Sequence, residues 1–151
     1  MNEIEKKLWL KVRRYIWFLK FVPFLRMVAV CNSLAFGWVD KNSDIDLFIV
    51  AKKGRLFLVR IFVTIILQIL CVRRNAKKIA GRFCLSFFVD DSYLNLEPIA
   101  IENDLYLAHW IVGLKPVIDD GVSSEFLKNN EWVKPLLLKD RGFQIDKSKV
   151  I

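Results

Sequence analysis

The sequence predicts an α/β (α+β) domain, a small mixed β-sheet flanked by helices with a helical C-terminal portion. Three observations predict it. Apolar runs at 26–31, 44–51 and 83–89 have strand length and are rich in β-branched and aromatic residues. Stretches with helical spacing, at 2–19, 56–72 and 102–114, alternate with them. Pro23, Gly37, Gly54 and Gly81 punctuate the junctions. With 151 residues the chain suits one domain, 1–151, whose core is expected at about 26–98.

In residues 2–19, Ile4, Leu8, Val12, Ile16 and Leu19 recur on one helical face, with Lys6, Lys7, Arg13 and Arg14 largely elsewhere. Pro23 ends that pattern. The first strand follows at 26–31, then a Gly-containing polar loop at 32–43 with one helical turn after Ser33, then the second strand at 44–51. The turn at 52–54 leads into the apolar segment 56–72. There Arg60, Thr64 and Gln68 form one polar stripe, so a helix buried in the domain is expected, with no integral membrane span. Basic residues at 73–78 suit that helix's C-terminal end. A third strand is expected at 83–89 and a connection at 90–98. C-terminal helices are expected over 102–133, the last capped by Ser123 or Ser124, and beyond Pro135 an irregular tail.

Composition narrows the function. A 54% apolar fraction beside 26% charged residues excludes a disordered chain. The formal charge of +8 favours polyanionic partners: nucleotides, nucleic acid or anionic lipid. Cys31, Cys71 and Cys84 are an odd number in apolar stretches, without a CxxC pair. They read as reduced core residues, which suits the cytoplasm, and no secretion signal opens the chain. His109 is the lone histidine and shares a helical face with Leu105, Ala108 and Val112, so it reads as a packing residue rather than part of a metal cluster or triad.

Chemistry concentrates at 32–47. Asp is disfavoured in strands, yet Asp44 and Asp46 head an otherwise apolar one. Two residues apart, they share a face, and their carboxylates repel unless a cation or proton lies between them. Hard oxygen ligands at that spacing suit Mg²⁺ or Mn²⁺, which also grip phosphate oxygens. Upstream, Ser33 offers a hydroxyl at the start of a helical turn, a setting for phosphate, and Gly37 permits a sharp reversal.

Ser33, ten intervening residues and then Asp44-Ile45-Asp46 resemble the GS-x10-DxD signature of the DNA polymerase beta-type nucleotidyltransferase superfamily, especially its minimal members. The resemblance covers about 26–90. It implies that the two aspartates hold divalent ions, which bind a nucleoside triphosphate and activate an acceptor hydroxyl for attack on the α-phosphorus. It further implies a protein, RNA or small-molecule acceptor and, by analogy with minimal members that act as antitoxins, a HEPN-type partner protein. The sequence departs from the signature twice. Asn32 replaces the usual Gly beside the phosphate-binding Ser. The third strand also lacks the family's mid-strand acid: Ser86 has that position, and Asp90 at the strand end is the candidate replacement. The alternatives are a catalytically degraded nucleotide- or protein-binding module of the same fold, or a membrane-surface protein using the basic helices and apolar segment.

Overall fold

The computed structural model describes residues 1–140. The first helix, α1 (Glu3–Ile16), starts at Asn2, whose side-chain Oδ1 accepts from the Glu5 backbone N–H at 2.7 Å. Glu3 and Glu5 in the first turn and Arg13 and Arg14 in the last complement the helix dipole. Leu8, Val12 and Ile16, four residues apart, form its buried stripe. A 3₁₀ turn at Trp17–Phe21 ends the expected helix early, and β1 (Leu25–Cys31) follows.

A single helical turn, α2 (Asn32–Ala35), leads through the loop to β2 (Ile45–Ala51). Helix α3 (Leu56–Ile69) then crosses to β3 (Phe83–Asp90). A 3₁₀ turn at Glu97–Ile99 follows, then α4 (Leu105–Gly113), β4 (Lys115–Asp119), α5 (Val122–Asn129) and α6 (Val133–Lys139). The four strands lie in the order β3-β2-β1-β4. β2 pairs antiparallel with β1 and parallel with β3, so the expected mixed sheet is present.

Helices cover both faces of the sheet. Val28, Val30, Leu47 and Ile49 pack beneath α1 and α3. Met27, Ala29, Cys31, Phe48 and Val50 pack beneath α4, α5 and α6. A strand covered on both faces has no polar side to show, which is why β1 and β2 read as nearly unbroken apolar runs. Phe48 anchors the second face, its ring 5.3 Å from both Trp110 and Phe126 and 5.8 Å from Phe87.

Several expectations need correction. β4 was not expected; Pro116 within it is tolerated because β4 is an edge strand. Neither Ser123 nor Ser124 caps α5. Its first residue follows Gly121, and Asp119 accepts from the Gly121 and Ser123 backbone N–H groups instead. Past Pro135 the chain stays helical to Lys139, Pro135 being tolerated in the first turn of α6. The rest of the expected tail lies outside the described residues. Helix α3 stops at Ile69, and residues 73–78 belong to the loop beyond it, where Asn75 Oδ1 accepts from the Lys77 and Lys78 backbone N–H groups.

α3 is also not buried all round. Val59, Val63 and Leu67 face the core, but Phe57 is 77% exposed and Ile69 75%. The polar stripe marks one flank of the helix, not its whole solvent side. No helix of the described residues is long and apolar enough to cross a membrane. Among the cysteines, Cys31 is in the core, Cys84 is partly covered, and Cys71, expected in the core, is exposed. His109 lies 3.0 Å from the Asp140 carboxylate.

This two-faced packing sets an expectation for stability. Phe48→Ala should cost about 3–5 kcal/mol, because it leaves a cavity among the rings of Phe87, Trp110 and Phe126. Phe57→Ala should change stability by no more than about 0.5 kcal/mol. Urea denaturation of the two variants checks this; equal costs would contradict the assignment of inner and outer faces.

Candidate metal and phosphate site

Strand register builds the site. Asp46 stands opposite Cys31 on β1 and opposite Cys84 on β3. Asp44 immediately precedes β2 with the same parity. Their carboxylates and the Cys84 thiol offer three ligand atoms within 4.8 Å of one another. Two metal–ligand bonds span about 4–5 Å, so one divalent ion fits among them.

Cys84 was not expected here. The signal that could have found it is the parallel pairing of β2 with β3, which starts both strands at the same end of the sheet. A thiol among carboxylates broadens the set toward softer ions such as Zn²⁺. Cys31 lies beneath the site, but burial pushes its thiol well above the ordinary range, with Asp46 adding to the effect. It therefore stays a neutral core group.

The environment of the acids is uneven. Asp46 is 8% exposed and accepts from the Ser86 hydroxyl at 2.5 Å. Ser86 reaches it from a register shift where Leu47 faces Leu85 but Phe48 faces Phe87, leaving Ser86 as the extra residue of β3. Asp44 accepts from Arg74 Nη1 at 2.5 Å. Burial, then the neighbouring Asp46, raise the Asp44 pKa above its ordinary value, and Arg74 pulls the other way. Arg74, read from the sequence as a helix-terminal charge, thus supplies a fixed cation against the pair.

A cavity of about 480 Å³ opens beside the two aspartates. Ser33, Gly37, Trp38, Asp40 and Ser43 line its other walls. Gly37 has φ +73°, a left-handed turn suited to glycine. The Ser33 carbonyl accepts from the Trp38 backbone N–H at 2.8 Å, which folds the loop back over the cavity. Ser33, Gly37, Asp44 and Asp46 are therefore brought together.

Two expected residues stand apart. Asn32 takes the left-handed conformation, φ 55°, which a glycine would adopt freely. Its Oδ1 turns away from the cavity and accepts from Trp110 Nε1 at 2.9 Å, with the Tyr106 hydroxyl at 3.5 Å. It therefore lines a separate cavity of about 260 Å³ with Ser86, Tyr106 and Trp110. Asp90 pairs with Ala51, at the opposite end of β2 from Asp46. It lies six positions along β3 from Cys84, about 20 Å for extended strand. Its carboxylate accepts from the Ser92 backbone N–H at 2.9 Å and from the Ser92 hydroxyl, which hold it below the ordinary carboxylate range. Asp90 thus closes a turn and cannot complete the carboxylate set.

Comparison with known proteins adds a distant likeness. No family model and no curated protein matches the chain. Among solved structures it is similar to a toxin–antitoxin with AMP-PNP, at TM-score 0.40 and 15% identity, covering 91% of this chain and 92% of that one. It is also similar to a mutant of the toxin–antitoxin MntA-HpeT, at TM-score 0.38 and 14% identity, covering 93% of each chain.

The Asn32 geometry is open to test. Asn32→Ala should cost roughly 2–3 kcal/mol, from left-handed strain and the lost Trp110 bond. Asn32→Gly should recover about 1 kcal/mol of that, the backbone share. Thermal or urea unfolding measures both; a glycine variant no more stable than the alanine one would contradict the strained backbone.

Proposed function

We propose that residues 1–151 form one nucleotidyltransferase-like domain, with its core at about 26–98, that moves a nucleoside monophosphate from a nucleoside triphosphate to an acceptor hydroxyl. One observation supports this above the rest: Asp44 and Asp46 converge at the mouth of a cavity whose far wall is the Ser33–Gly37 turn. A Mg²⁺ or Mn²⁺ ion would be held by Asp44 and Asp46, with Cys84 in reach. When bound it would supply charge neutralisation for the triphosphate and for the attacking oxygen. Asp46, buried and held by the Ser86 hydroxyl on one oxygen, would offer its other oxygen to the ion. The Ser33 hydroxyl and the N–H groups at the start of α2 would take the phosphate oxygens. Arg74 would hold Asp44 in place until the ion arrives and could then turn to the phosphates.

Ser86 favours a second reading. It places a neutral hydroxyl on Asp46 where an active transferase would use a third carboxylate. On that reading the domain binds metal and nucleotide without turnover.

Calorimetric titration with ATP and Mg²⁺, together with a pyrophosphate-release assay, separates the two. Asp44→Asn with Asp46→Asn should weaken Mg²⁺-dependent ATP binding by about 100-fold or more, the loss of two charged ligands. Asp90→Asn should leave binding unchanged, and Ser86→Asp should raise turnover if the native site lacks a carboxylate. Unaltered ATP affinity in the double variant would refute the site. Binding without pyrophosphate release by the wild type would select the second reading.

The Asp44 shift adds a pH signature. A carboxylate with a raised folded pKa binds its proton more tightly folded than unfolded. Without metal, Asp44 therefore contributes stability that grows as pH falls through that raised pKa. Metal needs the carboxylate ionised, so its stabilising effect should fade over the same window, above the ordinary carboxylate range. Thermal unfolding against pH, with EDTA and with excess Mg²⁺, should give two curves that converge on acidification. Curves separated by a constant offset would contradict an ion held by Asp44.

A further inference from the structure

The two helical layers differ sharply in charge. Residues 3–39 and 52–89, which include α1, the first 3₁₀ turn and α3, hold seven and nine Lys and Arg respectively, against Glu3 and Glu5 alone at the start of α1. Residues 90–140, which include α4, α5 and α6, hold ten acids against four bases. The basic layer also carries the exposed apolar surface. On α3, Phe57, Ile61, Ile65 and Ile69 recur every four residues and are 77%, 55%, 48% and 75% exposed. Val59, Val63 and Leu67 occupy the opposite side of the same helix. The 3₁₀ turn packs next to α3 and adds Trp17, Phe18 and Phe21, of which Phe21 is 70% exposed.

We propose that this outer face docks the protein peripherally onto an anionic lipid surface. Apolar side chains on an exposed helix, rimmed by Trp and Phe and accompanied by Lys and Arg, are what an interfacial helix needs. Lys52, Lys53 and Arg55 are exposed at one end of α3, and Arg73, Lys77 and Lys78 beyond the other. Cations at both ends of an apolar stripe match a negatively charged headgroup layer. Arg55 stacks on the exposed Phe24 ring at 5.0 Å, joining the charged and aromatic parts of the face. At one end of the face Asp91 is occupied by Arg26 and the Lys53 backbone N–H, and at the other Asp44 is paired with Arg74.

The same charge disfavours a second copy, because two such faces would bring like charges together. Nucleic acid would match the cations, but it would leave the aliphatic stripe of Ile61, Ile65 and Ile69 in water. Length decides the mode: no helix of the described residues can cross, so the protein would lie on the surface rather than span it.

Co-sedimentation of the full chain with vesicles tests this, using phosphatidylcholine alone and phosphatidylcholine mixed with phosphatidylglycerol. Binding is expected only to the mixed vesicles and should fall as salt rises. Phe57→Ser with Ile69→Ser should weaken it about tenfold or more while the circular dichroism spectrum stays native, since both side chains are largely exposed. Lys52→Glu with Lys53→Glu should weaken it as well. Protein left in the supernatant with both vesicle types would overturn the assignment. So would vesicle binding indifferent to Phe57 and Ile69, since the apolar face would then take no part. Self-association abolished by the Phe57 and Ile69 pair would assign the face to a second copy and equally overturn it. So would tight binding of a single-stranded oligonucleotide lost in that pair. The variants leave Asp44 and Asp46 intact, so ATP binding measured in parallel separates failure here from failure of the nucleotide site.

Discussion

Asp44 and Asp46 are held side by side against their mutual repulsion, and the rest of the site is arranged around that conflict. Isolated carboxylates at such a separation would relax apart or take up a proton. Here the backbone of β2 forbids the first, because its parity and its pairing with both β1 and β3 fix where Asp46 points. The second is only partly resisted: Asp44 is biased toward protonation by burial and by Asp46, with Arg74 as the opposing cation. Ser86 stabilises Asp46 by donating to it. A divalent ion would relieve the conflict more fully than either, which is why the pair reads as a cation site rather than as a solvated strand end.

That arrangement needs a rigid platform, and the sheet supplies it by being covered on both faces. Cores beneath α1 and α3 and beneath α4 to α6 leave no freedom for β2 to shift register without exposing apolar residues. The second core also determines the fate of Asn32. Trp110, packed on Phe48, presents its indole N–H to the Asn32 side chain. An asparagine in a left-handed turn is thereby fixed as part of the wall between two cavities. The packing of α4 thus directs the Asn32 side chain, and it leaves the cavity beside Ser33 unobstructed by Asn32 Oδ1.

Much of this was legible in the sequence, for identifiable reasons. The strands at 26–31 and 44–51 stood out because doubly covered strands are unbroken apolar runs, and 83–89 because it is rich in aromatic and apolar residues. Asp44 and Asp46 stood out because acids are anomalous at the head of such a run. What escaped depended on pairing between distant segments. β4 is a short edge strand containing Pro116, and nothing local announces it. Cys84 and Ser86 join the site only through the β2–β3 register and its irregularity. Arg74 looked like a helix-terminal charge because the end of α3 could not be placed within three residues. Asp90 shared parity with Ser86, but parity says nothing about distance, and the strand stays regular between them. On α3 the polar stripe of Arg60, Thr64 and Gln68 marks only one flank, and Phe57, Ile61, Ile65 and Ile69 face outward beside it. An apolar helix facing water is disfavoured without a partner, and nothing in the helix's own sequence shows whether one exists.

The central claim, that Asp44 and Asp46 together bind a divalent ion, is tested most directly by Mn²⁺ electron paramagnetic resonance. Titrating the protein into Mn²⁺ should progressively remove the free-ion signal, and Asp44→Asn with Asp46→Asn should restore it. A free-ion signal undiminished at protein in excess over metal, or one removed equally well by the double variant, would contradict the account.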